Sequence, residues 1–513
     1  MSKKLVKSVF LFSSNTLLSR VLGFARDMIL AQLFGASAGL DAFLVAFRIP
    51  NFMRRLFAEG AFSQAFIPVL VDYRQQHSEQ KLRQFIADTS GSLALILLMI
   101  VILGILIAPV LIHIFAPGFT HSSNRYLLAN AMLRITFPYI LLISLVALSS
   151  ALLNTYGSFG VPAFTPVLLN LSLISCALFL APKLATHIVA LAWGVLIAGI
   201  LQCLFLLPFL ARRKLLIRPR INFKNPGVRR VLTLMGPAIV GVSVAQINLL
   251  VDMLFASFLA TGSVSWLYYS ERLMMFPLGI FGVAIATVIL PKLSQHAAVD
   301  DKKVYSQTLD WALRLLLLIG LPSVLGLFFL ANQILATLFH YKQFNAHDVI
   351  MSGESLMAFA FGLQGMMMIK VLASGFYAHK NIKTPVKIAV IAMVSNIIFN
   401  IVLIIPLRHA GIALATSLSA LLNSALLWWN LKRHDLYQAT AGWKIYLSRL
   451  LVANVLLAIF LYLVRGSVSN WLIQTWHWRF THLLLLLFGA IILYCAALWL
   501  LGLRFKHFSI PSK

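Results

Sequence analysis

Apolar runs of 20 or more residues recur along the whole chain, and this feature restricts the possible folds more than any other. A helix needs about 20 apolar residues to cross the hydrocarbon core of a bilayer. Hydrophobic residues make up 60% of the 513 residues and charged residues only 11%, whereas soluble domains are about 45–50% apolar. The sequence therefore predicts an all-α polytopic membrane protein, because a β-barrel would show short alternating segments instead.

Fourteen such runs are separated by polar connections. We place the predicted transmembrane helices at about 8–34, 38–71, 84–113, 127–156, 162–182, 186–211, 227–259, 264–296, 307–333, 347–379, 384–406, 410–431, 443–466 and 479–503. The first run is too long and too charged for a signal peptide, and no small-residue cleavage site follows it. We therefore expect it to be retained as the first helix.

Two pairs of similar segments indicate an internal repeat. Residues 59–75 resemble 281–297, and residues 165–175 resemble 384–394, both at an offset of about 220 residues. An even number of helices per half gives repeats of the same orientation, related by an axis along the membrane normal. The predicted architecture is two six-helix lobes related by a parallel pseudo-repeat plus two extra C-terminal helices, at 1–214, 225–433 and 443–504.

The net charge of +28 has a topological explanation. In a soluble protein it would suggest nucleic acid, but here most basic residues lie in alternate loops, so we expect no nucleic-acid partner. With the N-terminus inside, the loops predicted outside hold only Arg125, Lys183, Lys342, Arg408, Arg465 and Arg479. Cytoplasmic loops carry an excess of Lys and Arg, so both termini are predicted to be cytoplasmic. The three cysteines lie in apolar stretches and form neither a disulfide framework nor a metal motif.

Topology does not explain the basic residues deep within the runs. These are Arg20, Arg26, Arg48, Arg54, Arg55, Arg272 and Lys370. Charged side chains inside a membrane are costly, and they mark substrate or ion pathways by default. Arg20 and Asp27 are seven residues apart, so they are predicted to share one face of the first helix.

The second helix carries a predicted charged stripe. Asp41, Arg48 and Arg55 are spaced by seven residues, and Glu59 lies four residues beyond. Such a stripe cannot face lipid, so it must line a water-filled cavity or pair with neighbouring helices. Pro50 and the glycine at position 60 offer places for bending within this helix.

Two interpretations of these charges stay open. In the first, they form structural ion pairs, such as Arg20 with Asp27 and Arg55 with Glu59. In the second, the excess of positive charge lines a cavity for an anion, because the planar fork of arginine matches phosphate oxygens. The second interpretation is favoured, because ionisable residues within a membrane mark substrate or ion pathways by default.

A second site for a small cation is also predicted. Asp252 lies deep in the seventh helix, and Asn396 and Asn400 lie one turn apart in the eleventh. Carboxylate and amide oxygens could hold Na⁺, and the alternative is interhelical hydrogen bonding.

The sequence contains no convincing catalytic motif. The segment "GASAG" (35–39) matches the G-x-S-x-G pattern, but it falls in a turn between membrane helices rather than between a strand and a helix. No ATP site is visible, so transport would draw on an ion gradient or the membrane potential.

Several long motifs resemble one known family. They are "SRVLGFARD" (19–27), "DAFLVAFRIPNFMRRLFAEGAFSQAFIPVL" (41–70), "GSVSWLYYSERLMMFPLGIFGVAIATVILP" (262–291) and "GFYAHKNIKTPVKIA" (375–389). They are similar to the MurJ (MviN) lipid II flippases, which belong to a superfamily that also holds multidrug and oligosaccharide-lipid exporters. The resemblance extends over essentially the whole chain.

The resemblance implies a fold and a set of site residues. The family fold has two six-helix lobes around a central cavity, and two extra helices form a groove for the polyprenyl tail. The family's cavity arginines match Arg20, Arg26, Arg54 and Arg272, and its acidic partner matches Asp41. Some members bind sodium between helices 7 and 11, which favours the predicted cation site. Others carry an acid three positions after the helix-8 arginine, where this chain has a methionine at position 275.

The resemblance also implies the function. We expect a multi-pass protein of the bacterial inner membrane that moves lipid II from the cytoplasmic to the periplasmic leaflet by alternating access, without a cofactor other than a coupling cation such as Na⁺. Its partners would be lipid II, membrane lipids and cell-wall synthesis proteins, and it would act as a monomer. The alternatives are a cation-coupled drug or metabolite antiporter of the same superfamily and a structural membrane protein without transport. Arg55, Glu59, Asp27 and Lys370 complete the predicted substrate-binding set.

Overall fold

The structure is a computed structural model. It describes the backbone of residues 3–299 and 301–503, and the side chains of those residues outside 3–13, 57–59 and 240–245. Throughout these ranges the regular structure is helical, and no strand occurs in them. The chain divides into two compact units, Met1–Val264 and Ser265–Lys513.

In its described residues the first unit contains ten complete α-helices. They are α1 (Lys3–Phe34), α2 (Ala38–Arg54), α3 (Phe62–Gln76), α4 (Glu79–Leu106), α5 (Ala108–Phe115), α6 (Ser123–Thr136), α7 (Tyr139–Thr155), α8 (Gly160–Ser175), α9 (Val189–Arg212) and α10 (Pro226–Ser257). Within this unit α1 packs on α8, α2 packs on α6 and α7, and α3 packs on α10.

The second unit holds the remaining helices. They are α11 (Ser263–Pro277), which begins two residues before the boundary, α12 (Val283–Ala298), α13 (Lys302–Phe329), α14 (Ala331–Leu338), α15 (Ala346–Ala378), α16 (Lys383–Arg433), α17 (Trp443–Val464), α18 (Val468–Ile473) and α19 (Trp476–Leu500). Here α15 is the central helix, since it packs against α12, α13, α14 and α16.

Each of the fourteen predicted runs is helical over most of its described length, and short breaks at 107, 137–138 and 330 divide three of them. Ten helical stretches in the described ranges are long and apolar enough to cross a membrane. The all-α membrane fold is thereby confirmed, and the count of fourteen crossings stays a prediction. The predicted lobes at 1–214 and 225–433 also stay a prediction; α10 packs with the first compact unit.

A π-helical turn interrupts the second predicted helix. It spans Arg55–Ala61, between α2 and α3, in the region where the sequence offered places for bending. A π-turn has i→i+5 hydrogen bonds and therefore more residues per turn than an α-helix. Residues spaced by seven thus share one helix face along α2 as far as Arg55, but not beyond it. A second π-turn, Leu278–Gly282, lies between α11 and α12, close to the equivalent place in the predicted repeat.

Helix α16 contains a reversal of the chain. The backbone of Arg408 leaves the helical region, with φ 49° and ψ −126°, between the runs predicted at 384–406 and 410–431. Asn396 Nδ2 donates to Thr416 Oγ1 at 3.4 Å, although a straight helix would separate residues twenty positions apart by about 30 Å. The two segments of α16 therefore fold back on each other.

A buried carboxylate on α4 fixes the long basic loop to the first unit. Asp88 is fully buried, and its Oδ2 accepts hydrogen bonds from the side-chain amides of Asn222 and Asn225, both at 2.9 Å. The backbone N–H of Arg220 donates to the carbonyl of Ala87 at 3.0 Å. The loop between α9 and α10 is thus attached to the start of α4.

The second unit repeats this arrangement. Asp310 on α13 is buried and accepts hydrogen bonds from the Tyr437 hydroxyl, from the backbone N–H and hydroxyl of Thr440, and from Trp443 Nε1. These partners lie in the connection from α16 to α17 and at the start of α17. Burial and the hydrogen bond to Asp310 raise the pKa of Tyr437.

The last long helices are held to α13 by tyrosines. Tyr446 on α17 donates to the carbonyl of Arg314 at 2.6 Å, and Tyr494 on α19 donates to the carbonyl of Leu318 at 2.8 Å. Between them lies an apolar cluster that includes Leu450, Leu457, Leu461, Leu483 and Leu486. Elsewhere both helices carry many exposed apolar side chains, as a lipid-facing surface requires.

Candidate functional site

Two of the predicted site residues in the first unit form a buried ion pair on α1. Arg26 and Asp27 are 7% and 2% exposed. Asp27 Oδ1 accepts from Arg26 Nε at 2.9 Å and from Arg26 Nη2 at 2.7 Å. Arg26 Nη1 also donates to Asn170 Oδ1 on α8 at 3.0 Å, and Asn170 Nδ2 donates to the carbonyl of Ser19 at 3.0 Å. This network fixes the orientation of the guanidinium against α8.

Arg20 lies on a different part of the same helix. Its side chain is exposed, as are the neighbouring Leu17, Leu18 and Val21. The interpretation that pairs Asp27 with Arg20 is corrected here, because Asp27 bonds its immediate neighbour Arg26 instead. A long arginine side chain can fold back along the helix, so residue spacing alone does not identify the partner. A role for Arg20 in substrate binding stays a prediction.

Two further arginines lie where α2 gives way to the π-turn. Arg54 Nε donates to Asn51 Oδ1 on the preceding turn at 2.9 Å. Arg55 Nη1 donates to Gln246 Oε1 on α10 at 2.9 Å. Both side chains are half-buried. Glu59, the predicted partner of Arg55, has its side chain outside the described residues, so that pairing stays untested.

Asp41 is placed at the opposite end of α2. It is fully buried, and its Oδ2 accepts from the backbone N–H of Gly262 at 2.7 Å. Gly262 has a φ of 98° in the turn before α11, a conformation that favours glycine. Ser37 begins the helix by accepting from the N–H of Leu40 at 3.3 Å. The carboxylate therefore ties the start of α2 to this turn.

Arg272 belongs to the second unit and is exposed there. Its guanidinium lies 4.9 Å from the centre of the Tyr268 ring, one turn earlier on α11. The helix is fixed to α15 by two contacts: Trp266 Nε1 donates to Asp348 Oδ1 at 2.9 Å, and Ser270 Oγ donates to the carbonyl of Ser352 at 2.6 Å. A rigid support of this kind limits how far a binding side chain can move.

Lys370 and the methionine at position 275 complete the predicted set in this unit. Lys370 is exposed on α15, and its carbonyl accepts from the hydroxyl of Ser374 at 2.9 Å. Met275 is also exposed, one turn after Arg272. The position that holds an acid in some similar proteins is therefore accessible here but uncharged.

The predicted cation ligands fall in both units. Asn396 and Asn400 are buried on α16, and Asn400 Nδ2 donates to Asn396 Oδ1 at 3.1 Å. With Thr416, they form the kind of interhelical hydrogen bonding that was the alternative to a cation site. Asp252 lies on α10 in the first unit. Binding of Na⁺ by this set stays a prediction.

Sequence reasoning missed the residues that hold the arginines in place. Asn170 and Gln246 are the amides that accept from Arg26 and Arg55, and Asp348 anchors α11 through Trp266. Uncharged amides within membrane helices are a signal that could have been used, because polar side chains there form interhelical hydrogen bonds. Asp348 also forms a capping box with Asn345, which a search for helix starts would find.

Comparison with known proteins identifies the family. The family model described as lipid II flippase MurJ matches residues 30–481. The probable lipid II flippase MurJ of Vibrio cholerae is 45% identical over 523 residues, which cover 100% of this chain and 99% of that protein. The chain belongs to the MurJ family of lipid II flippases. The lipid II flippase MurJ of Burkholderia cenocepacia is 41% identical over 524 residues, covering 99% of this chain and 100% of that protein.

Solved structures agree with the MurJ assignment. A structure of lipid II flippase MurJ in an inward closed conformation superposes with a TM-score of 0.79 and 30% identity, and it covers 95% of this chain and 98% of that one. An inward-facing MATE family multidrug transporter of the MOP superfamily shares the fold, with a TM-score of 0.66, 13% identity, and coverage of 83% and 98%. Because the MurJ family is one of transporters, the prediction that the chain is not an enzyme is confirmed.

Proposed function

We propose that this protein moves lipid II, the undecaprenyl-pyrophosphate-linked peptidoglycan precursor, from the cytoplasmic to the periplasmic leaflet of the bacterial inner membrane. Membership of the MurJ family supports lipid II as the substrate. The excess of Lys and Arg in alternate loops supports cytoplasmic termini, and the direction of transport is the one that the family implies. The role in cell-wall synthesis follows from the substrate.

The observation that carries this proposal is the arrangement of arginines on α1. Arg20 is exposed, while Arg26 is buried in a network with Asp27 and Asn170. We assign Arg20 and Arg26 to the pyrophosphate, because guanidinium groups bind phosphate oxygens through paired hydrogen bonds. Arg272 is assigned the same role from the second unit. Asp27 holds Arg26 until the substrate phosphate replaces the carboxylate.

The other charged residues have supporting roles in this proposal. Arg54, Arg55 and Lys370 maintain the positive electrostatic potential that attracts the headgroup, and Glu59 is the acidic partner of Arg55 beside them. Asp41 controls the periplasmic side through its contact with the turn at Gly262. Alternating access exposes the headgroup site to one side of the membrane and then to the other, while the polyprenyl tail stays in lipid beside the helices of 443–504.

The membrane potential, with or without a cation gradient, supplies the driving force. Moving one elementary charge across the membrane is worth about 2.3 kcal/mol per 100 mV. A cation held by Asp252, Asn396 and Asn400 would couple the gradient to the cycle. We propose that the protein works as a monomer and meets cell-wall synthesis proteins through its loops.

The test is lipid II translocation in proteoliposomes, measured by the accessibility of a labelled headgroup at the outer face. We expect Arg20→Ala and Arg272→Ala each to reduce the rate about a hundredfold, the loss of one or two charge-assisted hydrogen bonds. Arg134→Ala is the matched control, because Arg134 is exposed at the end of α6. Equal rates in all three variants would refute the site.

A second arm of the experiment addresses driving force and substrate class. An imposed potential should change the rate for the unaltered protein. A cationic dye is added as a competitor, because the superfamily's antiporter alternative predicts that the dye binds and is carried. Transport of the dye without movement of lipid II would overturn the proposal in favour of that alternative.

A further inference from the structure

A basic cavity lies at the predicted cytoplasmic end of the first unit, and its lining includes none of the arginines assigned to the substrate. Its volume is about 320 Å³. It lies where α3, α7 and α9 end and α4 begins. Its lining is Arg74, His77, Glu79, Leu82, Arg83, Ile86, Tyr156, Arg213, Lys214 and Leu215. Four permanent cations thus face one acid, and the acid's side chain is 80% exposed, 3.7 Å from Arg83 Nε.

Two of the cations are held in place by backbone carbonyls. Arg74 Nη1 donates to the carbonyl of Thr155 at 2.6 Å, and its guanidinium lies 4.4 Å from the centre of the Tyr156 ring. Arg83 Nη2 donates to the carbonyl of Lys214 at 2.8 Å. A carbonyl does not neutralise a guanidinium, so these contacts orient the side chains while their positive charge remains.

Lys214 adopts a backbone conformation that most side chains avoid. Its φ is 56°, at the end of α9, and the N–H of Leu215 closes the cap on the carbonyl of Leu210 at 2.9 Å. Glycine is the usual residue at such a position, and another residue there costs about 1 kcal/mol.

The second unit contains the same scaffold with different side chains. Asp435 ends the last segment of α16 with a φ of 50°, and the N–H of Leu436 closes the same cap on Leu431 at 3.1 Å. It therefore corresponds to Lys214. At the offset of the predicted repeat, Tyr305 on α13 corresponds to Arg83, and His296 on α12 corresponds to Arg74.

In that unit the corresponding cavity is almost closed, at about 10 Å³. Tyr305 fills the space: its hydroxyl donates to the carbonyl of Gly375 at 2.8 Å, and its ring lies 5.0 Å from that of His379. The scaffold therefore needs neither the open space nor the cations in order to pack. The first unit's cavity is open and lined by four cations, whereas the lining of the second unit's cavity includes Lys302 as its single lysine or arginine.

We propose that this cavity binds a phosphate group carried by the headgroup of an anionic membrane lipid. Clustered cations with donors fixed by backbone contacts suit phosphate oxygens, and basic pockets at the cytoplasmic ends of membrane helices suit lipid headgroups. The adjoining loop favours a lipid over a free anion, because Leu216, Ile221 and Phe223 on it are exposed. These side chains can enter the bilayer interface beside the headgroup.

The test measures binding of phosphatidylglycerol to the purified full-length protein in non-ionic detergent, by native mass spectrometry. The variant Arg83→Tyr with Lys214→Asp gives the first unit the residues of the second. We expect its affinity for phosphatidylglycerol to fall about tenfold to a hundredfold. The control, Lys81→Tyr with Arg212→Asp, makes the same charge change on exposed residues outside the cavity and should bind as the unaltered protein does.

Unchanged affinity for phosphatidylglycerol in the cavity variant would overturn the proposal, and so would an equal loss of affinity in the control. Displacement of the lipid by millimolar inorganic phosphate would also overturn it, because free phosphate would then be the ligand. Phosphatidylcholine should not compete. If the double variant fails to fold, Arg83→Gln gives the same comparison with one contact removed. The readout is binding, so it is independent of lipid II translocation.

Discussion

The ion pair between Arg26 and Asp27 allows a direct test of whether a buried charge serves structure or substrate. We consider three variants: Arg26→Gln, Asp27→Asn and the two together. Each single change removes one charge from a pair whose side chains are 8% and 3% exposed. The double change leaves two neutral side chains of nearly the same size in the same place.

The expected energies follow from the two short hydrogen bonds and the burial. Removing one partner of a buried pair leaves an uncompensated charge, at a cost of about 3–5 kcal/mol. Replacing both partners is often close to neutral, and Asn170 can still bond to a glutamine at position 26. We therefore expect each single variant to lose about 3 kcal/mol and the double variant to lose less than either single variant, which is a coupling energy of more than about 3 kcal/mol.

Two measurements on the same four proteins separate the roles. Stability is obtained from the loss of helical circular dichroism during unfolding by SDS, and activity from lipid II translocation in proteoliposomes. If Arg26 contacts the pyrophosphate, the double variant regains stability but stays inactive. Recovery of translocation in the double variant would refute the substrate role of Arg26, and additive losses of stability would refute the ion pair.

Three further predictions concern packing and titration. A Cβ at Gly91 would lie 2.3 Å from the carbonyl oxygen of Arg220, so Gly91→Ala should cost about 3 kcal/mol of unfolding free energy. The control is Gly236→Ala, because a Cβ at Gly236 would have no atom within 4 Å. This variant should not destabilise the protein in the same unfolding assay. Asp310→Ala removes the acceptor shared by the connection before α17 and should cost about 3 kcal/mol, seen as faster proteolysis within 434–442. Burial lowers the pKa of His340 from 6.5, so protonation favours the unfolded state. Stability should fall as the pH drops from 6.5 towards the folded-state pKa, and His340→Gln should make this fall smaller.

The helices were predictable because bilayer thickness imposes a length that the sequence must satisfy. The apolar runs gave the positions of the helices within a few residues, and even the division of α16 near Arg408 follows from the gap between two runs. What the runs do not reveal is the π-turn at Arg55–Ala61. Its residues include Arg55, Glu59 and Gly60, and the glycine indicates a place for bending, but neither charge nor glycine distinguishes a π-turn from an ordinary kink.

The partners of the charged residues were harder to predict. Helical spacing favoured Arg20 as the partner of Asp27, but adjacent Arg26 reaches it because its side chain is long enough to turn back. Asp88 and Asp310 were also missed, since both lie where their helices meet polar loops and attract no attention as membrane charges. The signal that could have been used is that the two aspartates lie at equivalent positions of the predicted repeat. Each of them fixes the loop that follows its predicted lobe.

The reversal within α16 has a consequence for how the chain is made. Its two segments meet at Arg408 with almost no loop, and a Cβ at Gly411 would lie only 2.2 Å from the carbonyl oxygen of Leu403. The hydrogen bond from Asn396 to Thr416 is therefore available as soon as both segments have been synthesised. Because so short a connection costs little closure entropy, the segments can leave the translocon as one preassembled hairpin, with their amides already shielded from lipid.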